Sequence, residues 1–389
     1  MRPTPRRLLI IGSIAAVAST VATVPVLAAG NDDLVAVTAA QGRPVPGQYI
    51  VTMRGGASPK TAAARVSATG TRHLGGVLNG FVAKLNARQL DKLRHDSSVA
   101  AIEQDQLVHI DTTQKAPLPW GLDRIDQRSK KRDKKYTYKS TGSGVNAYVI
   151  DTGIDVKHKD FGGRASIAWT ASRFYGDGAD CNGHGTHVAG ILGSKTYGVA
   201  KGVKLKALRV LDCDGEGYMS DIVEAANWLK TNAAKPAVAN LSLGGAKSTA
   251  VNTALENLSK SKVFVTVAAG NDGKDACKYS PASAGWVMAV GATTIYDNRA
   301  AFSNYGKCVD INAPGYGITS TWPGNRQAAE SGTSMASPYV AGVAALYLAG
   351  HRTATFPQVQ KWLNDNSTKK AVGRLPKGAP NRLLYKAGL

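Results

Sequence analysis

Gly144–Asp151 reads GVNAYVID, an apolar run rich in β-branched and aromatic residues that stops on a carboxylate. Gly153, two residues on, allows the backbone to turn away sharply. An apolar run without polar alternation, bounded by Gly and Asp, fits a strand covered on both faces, as in a parallel sheet. The pattern repeats downstream in VKLKALRVL (203–211), PAVANLSLGG (236–245) and KVFVTVAAGN (262–271). Between and after these runs, MSDIVEAANWLK (219–230) and ASPYVAGVAALYL (336–348) have helical composition. Strand and helix in alternation predict an α/β fold, doubly wound around a mostly parallel sheet. In such folds functional groups collect beyond the carboxyl ends of the strands. Asp151, Ser242 and Asn271 lie at or near those ends.

The chain before residue 120 is patterned differently. GQYIVTM (47–53), GFVAKL (80–85) and VAAIEQDQLVHI (99–110) read as strands. SPKTAAARVSA (58–68) and NARQLDKLRHD (86–96) read as helices, the second with Asn86 as its N-cap. The order predicts a small α+β unit of ferredoxin-like type. A proline-containing linker, DTTQKAPLP (111–119), follows it. Further upstream, Arg2, Arg6 and Arg7 precede an apolar run from Leu8 to about Val26, then small residues in VLAAG. That is the order of a secretory signal, so residues 1–29 are expected to be removed on export. Residues 30–112 then form the small unit, and residues 113–389 the large one.

Export governs how the four cysteines read. Outside the cytoplasm an even count predicts disulfides, with three connectivities open. The sequence-local pairs Cys181–Cys213 and Cys277–Cys308 are favoured, each stabilising by roughly 3–4 kcal/mol through loop closure. No C-x-x-C spacing supports zinc. The 389 residues carry a formal net charge of +21, much of it in RSKKRDKK (128–135) and near the C-terminus. No helix-turn-helix, RNP-like or aromatic-interleaved motif accompanies it, so a solvated basic surface is expected rather than nucleic-acid binding.

Four short motifs carry chemistry. VIDTGID places Asp151 at a strand end, and CNGHGTHVAG sets His184 among glycines with His187 one turn on. VTVAAGND ends a strand at Asn271, whose neutral amide can donate to a developing oxyanion. SGTSMASP (331–338) surrounds Ser334 with small residues at the mouth of the apolar helix, with Pro338 expected in its first turn. A helix N-terminus offers free N–H groups and partial positive charge. A serine hydroxyl attacks nothing unaided, so it needs a base and an orienter. Asp151, His184 and Ser334 supply these in the order Asp…His…Ser, which distinguishes subtilisins from chymotrypsins and α/β-hydrolases. The G-x-S-x-G elbow of lipases and esterases is absent around Ser334.

On VIDTGID, NGHGTHVAG, SLGG, AAGN and SGTSMASP, with WGLDRIDQR and FSNYG in support, the chain from about Pro44 onward resembles the subtilisin-like serine endopeptidases, in the branch of proteinase K and aqualysin. The resemblance implies a secreted, autoprocessed zymogen with Asp151 as orienter, His184 as general base, Ser334 as nucleophile and Asn271 as oxyanion donor. It makes the small unit an inhibitor I9-type propeptide, acting on its own enzyme as inhibitor and folding aid, cut near residues 111–116. Ser242, Leu243 and Gly244 on one side, and Gly215 and Gly217 on the other, would bind an extended protein or peptide substrate as added strands. Ala268, Ala269 and Gly270 would line the first specificity pocket, with no acidic residue evident there. The related pairing agrees with the two local disulfides. A calcium ion would be held by the carbonyls of Gly285 and Val287 and the carboxylate of Asp310. Near Asp123 and Asp126, where relatives hold a second ion, Lys134 and Lys135 stand in place of neutral ligands. A monomer without membrane insertion after signal removal is expected.

Overall fold

The computed structural model describes residues 34–39, 44–74, 79–106, 112–114, 118–175 and 177–389. The expected signal segment lies outside these residues, as does half of the expected processing region (111, 115 and 116). The chain divides into two units, Met1–Val108 and His109–Leu389.

In the first unit, β1 (Val37–Thr38), β2 (Pro44–Met53), β3 (Thr69–Leu74), β4 (Gly80–Lys84) and β5 (Val99–Gln106) form one sheet in the order β1-β5-β2-β4-β3. Leaving out β1, that order is the ferredoxin-like one expected from the sequence. Helices α1 (Pro59–Arg65) and α2 (Ala87–Arg94) complete it. Asn86 caps α2 as expected, in a reciprocal box with Gln89. Val51, Phe81, Leu93, Val99 and Ile102 make a fully buried core. β3, TGTRHL, was not legible as a strand: it is an edge strand with an exposed, polar pattern and no apolar face to betray it.

The second unit opens with β6 (Thr112–Gln114), α3 (Trp120–Ile125) and β7 (Tyr136–Tyr138), β6 pairing with β7. Thr112, placed by the sequence at the end of the small unit, is therefore the first residue of a strand of the large one. Nine further strands build the main sheet. From one edge they are β9 (Ala165–Thr170), β10 (Lys204–Arg209), β8 (Asn146–Asp151), β11 (Ala237–Leu241), β13 (Val263–Ala268), β15 (Met288–Thr293), β16 (Ile311–Pro314), β20 (Arg382–Leu383) and β19 (Thr368–Lys369). Every pairing is parallel except that of β19 with β20. Two short pairs lie outside it, β12 (Gly245–Ala246) with β14 (Tyr279–Ser280) and β17 (Ile318–Trp322) with β18 (Arg326–Glu330).

Period-two alternation explains the two layers of helices. Along β8, Ala147 and Val149 enter one core while Tyr148 and Ile150 enter the other. The first core is closed by α4 (His184–Gly193), α7 (Thr333–Gly350) and α8 (Phe356–Asn366), the second by α5 (Met219–Asn232) and α6 (Thr249–Lys260). Helix α7 is apolar nearly all round because it is buried nearly all round, packed on β11, β13 and β15. After β8 the chain builds β9 and β10 on one side, then crosses to β11 and β13 on the other. Asp151 thus ends a strand at the switch point, where a crevice opens.

Around the acidic pair of α3, the protein's own donors take up the carboxylates. Asp123 accepts from the backbone N–H groups of Asp133 and Lys134 at 3.3 and 3.0 Å. Asp126 accepts from Thr137 N and faces the Lys386 ammonium at 2.9 Å, both side chains being largely buried. Lys386 also donates its backbone N–H to Ile125 O, tying the C-terminal tail to α3. Replacing Lys386 by Met should leave the Asp126 carboxylate buried and uncompensated. A loss of about 3–5 kcal/mol is expected, read as a lower guanidinium unfolding midpoint with unchanged slope. A midpoint equal to the wild type's would show that the pair contributes nothing net.

Candidate active site

Two glycines bring the ends of β8 and α4 together. Gly153 sits at φ +109°, and a Cβ there would stand 2.6 Å from Gly178 O. A Cβ on Gly185 would stand 2.1 Å from Gly153 O, so only glycine lets the first turn of α4 rest on the turn after β8. Asp151, fully buried, is thereby set against His184: its Oδ1 accepts from Thr152 N at 2.8 Å and lies 2.7 Å from His184 Nδ1. The ring keeps 28% of its side-chain surface open. With Nδ1–H donating to the carboxylate, a neutral ring leaves Nε2 as acceptor toward the crevice. Burial pulls the imidazole pKa down, but the charge and hydrogen bond of Asp151, with Asp180 and Glu330 farther off, outweigh it and leave it above the ordinary value.

His187, one turn further along α4, has a structural place. Its Nε2 lies 3.1 Å from the carbonyls of both Ile318 and Ala328, so that nitrogen carries the proton. Burial lowers its pKa to about 4, and the ring stays neutral.

The second half of the site forms where β13 and α7 face each other. Asn271 Oδ1 accepts both the N–H and the hydroxyl of Thr333, at 2.8 and 2.9 Å. Those two donors fix the amide so that Nδ2 is the side left to meet a ligand. A Cβ placed on Gly332 would stand 3.5 Å from Asn271 Nδ2 and 3.5 Å from Ser334 N. Two N–H donors therefore border one small niche, and glycine at 332 leaves it open.

The helix begins at Thr333, and Pro338 lies inside it rather than in its first turn. A proline there denies a partner to the carbonyl four residues back, which is that of Ser334. Ser242 Oγ donates to that carbonyl at 2.7 Å, so the proline's position is tolerated. In return the Ser334 hydroxyl donates to Ser242 O at 3.0 Å. Among the described residues no hydrogen bond joins it to the His184 ring. A serine hydroxyl turns between acceptors by rotation about χ1, and catalytic hydrogen bonds are often loose without substrate.

Both halves open into one crevice. A cavity of about 590 Å³ is lined by His184, Gly215, Gly217, Ser242, Leu243 and Gly244. A second, of about 450 Å³, shares Ser242–Gly244 and adds Ala268, Ala269, Gly270, Asn271 and Ser334. All eight residues expected to border a substrate thus meet around it. Asp272, an acid the sequence reading did not place near the crevice, also borders the second cavity. Sequence reasoning missed it because its side chain follows the strand end and its direction depends on the turn. It also missed Arg173, whose Nη2 donates to Val210 O and Glu216 O at 3.0 and 3.1 Å and braces the Gly215–Gly217 edge. Cys181–Cys213 and Cys277–Cys308 are both bridged. Thr333, which orients Asn271, was visible only as a small hydroxyl beside Ser334.

A comparison with protein families decides what this crevice belongs to. Residues 142–383 match the subtilase family of peptidases, and residues 71–111 match peptidase inhibitor I9. The chain is a subtilase. It is 50% identical over 310 residues to an extracellular serine proteinase of Thermus sp., covering 79% of this chain and 75% of the relative. Over 354 residues it is 40% identical to proteinase R of Parengyodontium album, covering 89% and 90%. The crystal structure of a cold-adapted subtilisin-like serine proteinase superposes with a TM-score of 0.67 at 45% identity, covering 69% of this chain and 98% of that one. This subtilase is a serine endopeptidase of the proteinase K-like branch that carries an I9 propeptide. No helix of its described residues is long and apolar enough to cross a membrane.

Proposed function

We propose that the chain is made as a secreted zymogen and cleaves peptide bonds by nucleophilic catalysis at Ser334. Ser334 Oγ attacks the scissile carbonyl while His184 Nε2 takes its proton. Asp151, on Nδ1, holds the tautomer and steadies the imidazolium. The oxyanion settles in the niche between Asn271 Nδ2 and Ser334 N. His184 then hands the proton to the leaving amine, and water releases the acyl group by the same route in reverse. One observation carries the reading: a niche with two N–H donors, at the base of a serine, opens into the crevice that holds an imidazole already bonded to a buried carboxylate. A fluorophosphonate should label Ser334 and nothing else in the processed protein, as peptide mass mapping would reveal. Labelling at another residue would refute the assignment.

Asn271→Leu keeps the side-chain volume and removes the donor. A fall of about 10²–10³ in kcat with little change in KM is expected, a magnitude measured on subtilisin, a relative of this chain. Since His184 must be neutral to act as base and its pKa is raised, the acid limb of kcat/KM should lie above the ordinary histidine value of about 6.5. A limb below that value would mean that Asp151 does not bear on the titrating group.

Residues 30–112 serve on this reading as the propeptide and residues 113–389 as the protease, with removal of residues 1–29 on export. A relative named as extracellular supports secretion. A cut just before Thr112, one residue ahead of that boundary, would leave the whole of β6 with the enzyme. A monomer acting on protein or peptide substrates is the matching state.

For calcium, Gly285, Val287 and Asp310 are the residues to examine. Among the described residues no group of three His, Cys, Asp or Glu side chains could hold a metal, so a site must rest on one carboxylate and backbone carbonyls. Asp310 fits that part. Each carboxylate oxygen accepts one donor, Ala289 N at 2.8 Å and Gln360 Nε2 at 3.2 Å, and so keeps a lone pair. Burial pushes its pKa up to about 6, against those hydrogen bonds and the Arg382 charge, which marks a carboxylate short of compensation. When bound, calcium would supply that compensation and cross-link the 285–287 loop to the start of β16. Calcium at a hundredfold excess over its Kd should stabilise by about 2.7 kcal/mol in thermal unfolding, and Asp310→Asn should abolish the response.

A further inference from the structure

The loop before His184 carries an acid with no place in the triad. Asp180 is 9% exposed, and its carboxylate accepts five hydrogen bonds. Oδ1 takes Thr152 Oγ1 at 2.9 Å, Asn182 N at 3.0 Å and Gly183 N at 2.8 Å. Oδ2 takes Thr186 N at 2.8 Å and the Thr186 hydroxyl. Thr152 follows Asp151 directly, and its Oγ1 in turn accepts Gly185 N at 2.9 Å. Gly183 is the N-cap of α4, and Thr186 lies in its first turn. A single carboxylate therefore ties the strand end that bears Asp151 to both sides of His184.

None of the five donors is a cation. Arg209, a buried guanidinium at the end of β10, bonds instead the carbonyls of Asp177, Ala179 and Leu211 and the Asp177 carboxylate, and approaches the sulfurs of Cys181 and Cys213. An ionised carboxylate held only by neutral donors keeps its field, while the same donors at a helix N-terminus make its position rigid.

We infer that Asp180 is a positioning residue of the catalytic site, holding the Asp151 and His184 backbones in register while its charge, with no cation paired to it, favours the imidazolium that forms during turnover. The inference rests on the Ser334–His184–Asp151 reading and adds to it a second anion behind the histidine. The charged and titratable groups acting on the ring are Asp151 at the end of β8, Asp180 on the loop, Glu330 at the end of β18 and the neutral His187 on α4 itself. Asp180 is the one among them that also fixes backbone on both sides of the Asp151–His184 contact.

Two substitutions separate its two roles. In Asp180→Asn the charge goes, and one oxygen becomes a donor facing donors. We expect kcat to fall by about tenfold to a hundredfold, the scale of a small misplacement at the chemistry, with KM nearly unchanged. The acid limb of kcat/KM should also move to lower pH, because a negative charge that raises the histidine pKa has been removed. Thr152→Val keeps the charge and cuts the bond between loop and strand. It should lower kcat about tenfold and leave the acid limb where it was. Rates are to be taken per active site, titrated with a fluorophosphonate on enzyme matured by traces of wild type.

Wild-type kcat and an unmoved acid limb in folded Asp180→Asn would overturn the inference. If that variant does not fold, Thr152→Val decides: wild-type kcat overturns it, and a tenfold loss with an unmoved limb supports it. A charge acting without positioning would instead show as a shifted limb in Asp180→Asn with full kcat, which also refutes the stated role. Failure of the triad reading is distinguishable, because Ser334→Ala would then remain active.

Discussion

Ser334→Ala should remain full length after export, while the wild type shortens by about eighty residues, the span expected for the propeptide. Removing the hydroxyl leaves the niche, the crevice and the Asp151–His184 pair in place, so substrate still binds but nothing attacks it. Loss of the equivalent serine in subtilisin, a relative, lowers kcat by about 10⁶, and a similar loss is expected here. Two measurements read it: peptide-cleavage rate on protein matured in trans, and apparent mass of protein matured alone. The Ser334 carbonyl, not its hydroxyl, accepts from Ser242 across the helix start, so the variant should keep that tie and unfold near the wild-type midpoint. A variant that still self-processes would remove Ser334 from the mechanism and with it the role of the niche.

Asp151→Asn should lower kcat at neutral pH by about 10⁴, the loss found when the orienting carboxylate of a serine-protease triad becomes an amide. The structural reason is visible at Oδ1, which serves Thr152 N and His184 Nδ1 together. An amide that keeps its oxygen toward Thr152 N can still accept from Nδ1, but it brings no charge to hold the imidazolium. An amide that flips presents N–H to the ring, forces the proton to Nε2 and removes the base. Because Asp151 is the largest influence raising the His184 pKa, the remaining activity should also have its acid limb at lower pH. With KM nearly unchanged, the defect would lie in the chemical step. A loss of less than about tenfold would mean that the carboxylate neither orients nor charges the ring, contrary to the mechanism proposed.

The parallel sheet was legible because its strands are buried on both faces. GVNAYVID and KVFVTVAAGN have no polar alternation, and each stops on the Asp or Asn that the crevice uses. Edge elements were not legible for the opposite reason: TGTRHL is joined to its neighbour by backbone bonds, and four of its six residues are exposed. The disulfides were anticipated from export and local spacing, and both formed. Pro338 was misplaced because a tolerated interior proline depends on Ser242, which lies 92 residues away in sequence.

The sequence by itself determined the fold class and nominated the side chains proposed to react, together with their order along the chain. Those follow from residue type and from patterns only a few residues long, and local chemistry encodes them. Tertiary structure alone decided which atoms act. It turned the Asn271 oxygen toward Thr333 so that Nδ2 faces the niche, set the Ser334 hydroxyl on the Ser242 carbonyl, put Asp272 on the pocket wall and made Asp180 the link between β8 and α4. Each of these depends on distance and direction between segments tens of residues apart, which packing of the two cores sets and no local pattern records.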